Sequence, residues 1–130
     1  MPASHPPKDC PCGGGAYAAC CGRFHAGETA ATAEQLMRSR YSAYVLHDTA
    51  YLLQSWHPST RPAEAELEEG CGSKWLGLEV KKHVPLGEEA TVEFVARYKT
   101  GGRAHRLHEV SRFVREKGAW LYVDGEFPRK

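Results

Sequence analysis

The chain has 130 residues, 42% of them hydrophobic, which suits one ordinary domain with a small appendage. Its 17 Lys and Arg nearly balance 16 Asp and Glu, giving a formal charge of +1, so charge provides no clear nucleic-acid signal. No apolar run approaches the roughly 20 residues of a membrane span, and Met1 to Lys8 lack the apolar core of a signal peptide.

Residues 1–9 hold three prolines and read as a loose tail. Then four of the five cysteines fall within twelve residues: Cys10, Cys12, Cys20 and Cys21. Adjacent cysteines bridge only with strain, C-x-C is short for a disulfide, and five is an odd number. Four thiolates instead suit a tetrahedral metal site, with Gly13, Gly14 and Gly15 letting the chain reverse between the pairs. The expectation is one structural Zn2+ with no open position. Iron in the same cage, or no metal, is the other reading. If all four bind zinc as thiolates, the net charge moves to about −1. His25, four residues past Cys21, is an alternative fourth ligand. Lys8 and Arg23 are close enough in sequence to offset the site's negative charge. Cys71, between two glycines, reads as a structural or exposed free thiol. Reduced thiols on a metal fit a cytoplasmic protein.

Gly27 to Ala31 read as a linker. Thr32 opens a helix, with Gln35 three residues later as its capping box. Leu36, Met37, Tyr41, Tyr44 and Val45 form its apolar face, and it ends near His47. Asp48 caps a shorter helix carrying Tyr51, Leu52, Ser55 and Trp56, which His57-Pro58 stops. Thr60-Arg61-Pro62 starts a short acidic helix that Gly70 ends. From Trp75 the period becomes two. Leu76, Leu78, Val80 and Val84 share one strand face, and Val92, Phe94, Ala96 and Tyr98 share the next. Between Arg103 and Arg115 the apolar residues change parity, which suggests a bulge or strong bend. Ala119 to Asp124 make the last strand. Helices followed by four strands on tight turns mean α+β, with helices packed on an antiparallel sheet.

The cysteine segment resembles the SEC-C motif, the zinc-binding element at the C-terminus of the SecA translocation motor. Cys10, Cys12, Gly13, Gly15, Tyr17, Cys20 and Cys21 match it in order. The loop between Cys12 and Cys20 has seven residues where the motif has eight. Beyond it, Leu36-Met37-Arg38-Ser39-Arg40-Tyr41-Ser42-Ala43-Tyr44 and Trp56-His57-Pro58-Ser59-Thr60-Arg61 are similar to the bacterial YchJ family. His108-Glu109-Val110-Ser111-Arg112-Phe113 and Trp120-Leu121-Tyr122-Val123-Asp124-Gly125 are similar to it too. The resemblance implies an N-terminal SEC-C motif over 1–27. It also implies a nuclear transport factor two-like domain over 28–130, a curved antiparallel sheet wrapped around helices to make a cone. It carries a fold, not a reaction.

The Arg106–Arg112 segment is the main place for chemistry. His108 or Glu109 can serve as a general base there, and Arg112 can bind an anion. The structural reading is a solvent-facing row and an inward Glu109 paired with Arg38 or Arg40. Trp56 and His57 can close the cone's mouth, or be core and helix stop. Two functions follow. One is an interaction or adaptor module that presents its zinc knuckle to a protein or ribosomal partner. The other is a small cofactor-free enzyme of isomerase, dehydratase or hydrolase type, with a small ligand in the cone pocket around His108, Glu109 and Arg112. The sequence shows no nucleophile–base pair or cofactor motif, and a closed metal site is not catalytic, so the module is the reading favoured.

Overall fold

The computed structural model describes residues 9–63 and 74–127. A single 3-10 turn at Tyr17–Ala19 precedes α1 (Cys21–His25), α2 (Ala33–Leu46) and α3 (Thr49–Gln54). Four strands follow: β1 (Lys74–Leu86), β2 (Glu89–Thr100), β3 (Arg103–Glu116) and β4 (Ala119–Glu126). They form one antiparallel sheet in sequence order. Among the described residues no helix is long and apolar enough to cross a membrane.

The helix ends lie where side-chain caps place them. Thr32 Oγ1 accepts the Gln35 N–H at 3.1 Å, and Gln35 Oε1 reaches back to the Ala31 N–H at 2.7 Å. The return bond thus falls one residue before the cap, a displaced capping box. α2 stops at His47, which takes a left-handed φ of 60° and bonds through its N–H to the last carbonyls. Asp48 Oδ1 then accepts the Tyr51 N–H at 3.1 Å and starts α3. α3 ends at Gln54, before Trp56, because sheet pairing captures the next residues. Tyr122 N–H donates to Ser55 O at 2.9 Å, and His57 N–H donates to Tyr122 O at 2.8 Å. Residues 61–63 are not helical. The rest of the expected acidic helix, with Cys71, lies outside the described residues.

The β2 row is as the alternation predicts: Val92, Phe94 and Ala96 are buried and Tyr98 half-buried. β1 departs from it. Irregularities between Trp75 and Gly77 and between Val80 and Lys82 shift its register. Leu76 is left 50% exposed, and Trp75 turns inward onto Tyr41 and Tyr44. β3 keeps one parity throughout, because its pairing with β2 is unbroken. The extra residue sits on β4 instead: Arg112 pairs with Asp124 but Phe113 pairs with Tyr122, so Val123 is the bulged residue. Leu107, Glu109, Ser111 and Phe113 therefore form one inward row.

α2 touches β1, β2 and β4. Its 14 residues run about 21 Å, more than the roughly 14 Å between the edge strands of a four-stranded sheet, so α2 can reach both edges by crossing the sheet. Each cap should matter separately: Thr32→Ala and Asp48→Ala should each lower stability by about 1 kcal/mol in urea unfolding, with the m-value unchanged.

Candidate functional site

The N-terminal cysteines form a knuckle closed by backbone bonds. Cys10 N–H donates to Gly15 O at 2.7 Å, and Gly13 N–H donates to Cys10 O at 3.0 Å. Gly13 and Gly15 take φ of 87° and 116°, which favour glycine. Gly14 is needed for space, since a Cβ there would lie 2.7 Å from Cys20 Sγ. The sulfur of Cys12 lies 3.5 Å from Cys10, 3.5 Å from Cys20 and 3.6 Å from Cys21. All four sulfurs fall within 4.8 Å of one another. A disulfide would need about 2.05 Å. A tetrahedron with metal–sulfur bonds of about 2.3 Å has edges of about 3.8 Å. The cluster is therefore four separate thiols at the spacing of a metal cage.

Their ionisation agrees. The Cys21 thiol, bonded to Cys12, holds the Cys12 pKa down at about 4 against burial, with Cys10 and Cys20 adding to the effect. Burial first, then Cys12, pushes Cys20 up to about 11. The bond to Cys12, then burial, pushes Cys21 up as well. The charge thus settles on Cys12, while the thiols of Cys20 and Cys21 hold their protons more tightly than usual. Four sulfurs so placed could hold a divalent ion, whose binding would displace those protons.

His25 is not among the ligating atoms. Its Nδ1 accepts from Tyr17 OH at 2.6 Å, and its Nε2 meets the Ser39 carbonyl at 2.8 Å. Both ring nitrogens are therefore used in tying the knuckle to α2. Cys10 Sγ lies 3.4 Å from Ser42 Oγ, and Arg38 Nη1 donates to Cys12 O at 3.2 Å. Arg23 Nε donates to Cys20 O at 3.2 Å. Arg23 and Arg38 thus bond to backbone carbonyls of the knuckle's cysteines. Lys8 is outside the described residues.

On its other side α2 walls a cavity of about 300 Å³, lined by Trp75, Phe94, Phe113, Tyr41, Tyr122, Glu109, Ser111 and Arg40 among others. Glu109 is 8% exposed, and its Oε2 accepts from Ser111 Oγ at 2.7 Å and Tyr122 OH at 3.1 Å. Burial first, and then the Glu109 charge, push the Tyr122 phenol up, so it stays a donor. The carboxylate rests on Gly125, where a Cβ would lie 2.6 Å from its Cδ. Arg40 is buried between the Trp56 and Tyr122 rings, with centroids at 4.8 and 4.5 Å. Its Nη1 donates to Leu52 O at 2.9 Å and Ser55 Oγ at 2.7 Å.

The expected trio does not assemble. Glu109 points inward, whereas His108 and Arg112 face the other side of the sheet. His108 Nε2 lies 2.6 Å from Glu93 Oε2, and Arg112 makes a forked pair with Asp124 at 2.6 and 2.8 Å. Arg112 holds the Asp124 carboxyl below its ordinary range. Period two decides this: one step along a strand reverses the face. The expected Glu109 ion pair is absent as well. Arg38 pairs with Glu34 at 3.0 Å, and Arg40 shares the cavity with Glu109 without an ion-pair contact among the described residues. Trp56 packs edge-on against Tyr122, and His57 bonds Glu116 at 2.8 Å, so both fasten α3 to the sheet. Sequence reasoning missed Tyr122, Ser111 and Gly125 as partners of Glu109. Their inward parity was the available signal for the first two.

Two substitutions check this arrangement. Arg40→Lys should cost about 2–3 kcal/mol in chemical unfolding, because an ammonium loses the planar stack between the rings. Gly125→Ala should destabilise by about 1–3 kcal/mol by displacing Glu109. A strand glycine with open space would instead gain stability as alanine.

Comparison with known proteins agrees with this architecture. A family model described as "YchJ, middle NTF2-like domain" matches residues 32–125. A UPF0225 protein of Ralstonia nicotianae is 62% identical, over 97% of this chain and 96% of its own. A UPF0225 protein of Xanthomonas oryzae pv. oryzae is 57% identical over 95% of this chain and 98% of its own. The solution structure of a SEC-C motif containing protein from Rhodopseudomonas palustris, 35% identical, superposes with a TM-score of 0.85 over 93% of this chain and 99% of that one. The crystal structure of a SEC-C motif containing protein from Psychrobacter arcticus, 31% identical, gives a TM-score of 0.77 over 100% of this chain and 78% of that one. A cysteine knuckle, a helical layer and a four-stranded antiparallel sheet in sequence order, together with these relatives, place the chain in the YchJ (UPF0225) family.

Proposed function

We propose that this protein is an interaction or adaptor module whose knuckle, residues 1–27, is held by one structural Zn2+ on Cys10, Cys12, Cys20 and Cys21. Residues 28–130 form the domain that carries it. The carrying observation is the set of four sulfurs within 4.8 Å. Zinc suits four thiolates better than the harder cations, and a cage with four protein ligands leaves no position for substrate. The metal then organises a surface and does no chemistry. That surface includes exposed Gly13 to Ala16, Ala18 and Ala19, small residues that let a partner's backbone approach closely. A protein or ribosomal partner in the cytoplasm is the reading that follows from the likeness to SEC-C motif proteins. The enzyme alternative has less support, since only Glu109 of its expected trio reaches the cavity.

Purified protein should contain about one zinc per chain by elemental analysis. Cys10→Ser should lose most of it and Cys71→Ser none, while His25→Ala should keep the metal and lower stability. Full occupancy in a variant lacking both Cys20 and Cys21, or iron in place of zinc, would overturn the assignment. For the interaction, a pull-down from lysate with and without residues 1–27 should lose its specific partner when the knuckle is removed. A partner set unchanged by that truncation would rule the knuckle out.

A further inference from the structure

The cavity behind α2 is separate from the metal site, and its polar groups are arranged in an unusual way. It contains opposite charges, Arg40 and Glu109, that make no ion-pair contact with each other among the described residues. Arg40 is anchored: its guanidinium lies between two rings, and its Nη1 donates to Leu52 O and Ser55 Oγ. Glu109 is only half satisfied. Its Oε2 takes both donors, from Ser111 and Tyr122, and its Oε1 has no partner among the described residues. A carboxylate oxygen left in a residue only 8% exposed is a strong acceptor awaiting a donor. The Trp75 indole N–H, in another wall residue of the cavity, is buried without a partner among the described residues.

The rest of the wall is aromatic and aliphatic. Its volume of about 300 Å³ lies at the small end of ligand pockets. An anion entering it meets Glu109. A cation meets Arg40, which already fills the place between the rings where an organic cation would stack. With these charges offsetting one another, the cavity favours an uncharged guest. We infer that it is a binding site for a small, uncharged, mainly aromatic molecule that donates one hydroxyl or N–H to Glu109. Gly125 is part of the site, because only a residue without a side chain lets the carboxylate lie flat against β4. The inference stands independently of the metal assignment.

The test uses the full chain with its metal and a set of probes: 2-naphthol, naphthalene, 2-naphthoate and 2-naphthylmethylammonium. The chain has two methionines, Met1 and Met37, and Met37 lines the cavity, so a methyl-labelled sample reports entry directly. The expected result is saturable movement of the Met37 methyl signal by naphthol. Naphthalene should bind at least about tenfold more weakly, as loss of a hydrogen bond to a charged group requires. Naphthoate should leave the signal in place. Glu109→Gln should reduce naphthol to about the naphthalene level. Leu107→Trp should block every probe by filling the cavity while keeping its polar groups. Both variants are first checked for a native methyl and amide spectrum, and the probe series on the unmodified protein stands even if one fails to fold. Equal binding of naphthol and naphthalene would reduce Glu109 Oε1 to a water site and overturn the inference. Tighter binding of the ammonium would overturn it in favour of an organic cation, and no response to any probe would overturn it outright.

Discussion

Helix α2 is enclosed on both sides, and the rest of the structure depends on that. An ordinary surface helix has one apolar stripe and one wet face. Here Ser39, Arg40 and Ser42 are buried along with Leu36, Met37 and Tyr41. Small hydroxyls let the knuckle come close: Ser42 meets Cys10, and the Ser39 carbonyl meets His25. The opposite side presents Met37, Arg40 and Tyr41 to the cavity. Each buried polar group on the helix has its own partner. Ser39 Oγ donates to Leu36 O at 2.7 Å and lies 2.6 Å from Tyr51 OH, which draws α3 in. Polar groups buried without such partners would cost more than the packing returns.

The knuckle and the cavity thus share a wall but differ in chemistry. The knuckle concentrates thiols that cannot all ionise together without a cation. The cavity separates its charges, giving the guanidinium two aromatic faces and the carboxylate two neutral donors. The first arrangement calls for a metal and the second for a neutral guest. The domain holds both because one helix crosses the sheet and touches both of its edge strands.

Much of this could be read from the sequence where the physics is local. Thr32 and Asp48 mark helix starts because their side chains cap within three residues, and the cysteine spacing marks the cage. Alternation in β2 identified its buried row. The failures are all non-local. Nothing in the β1 sequence reveals that Leu76 is displaced by a bulge against β2, nor does the apolar pattern of β3 reveal that the irregularity lies in β4, at Val123, while β3 keeps one parity. His108 and Glu109 are neighbours in sequence but face opposite sides, so a cluster of charged residues on a strand is not a cluster in space. The helical position of Arg40 does not reveal its aromatic neighbours, Trp56 after α3 and Tyr122 on β4. Gly125 shows its purpose only once Glu109 lies over it.

The coupling through α2 is tested most directly by amide hydrogen exchange of the full chain, with zinc supplied and after chelation. The predicted result is fast exchange over the knuckle and clearly weaker protection in α2 around Ser39 to Ala43 once the metal is removed, while β2 and β3 keep their protection. Unchanged protection of α2 after chelation would contradict the shared-wall arrangement, because it would mean that the knuckle leaves the helix without loosening it.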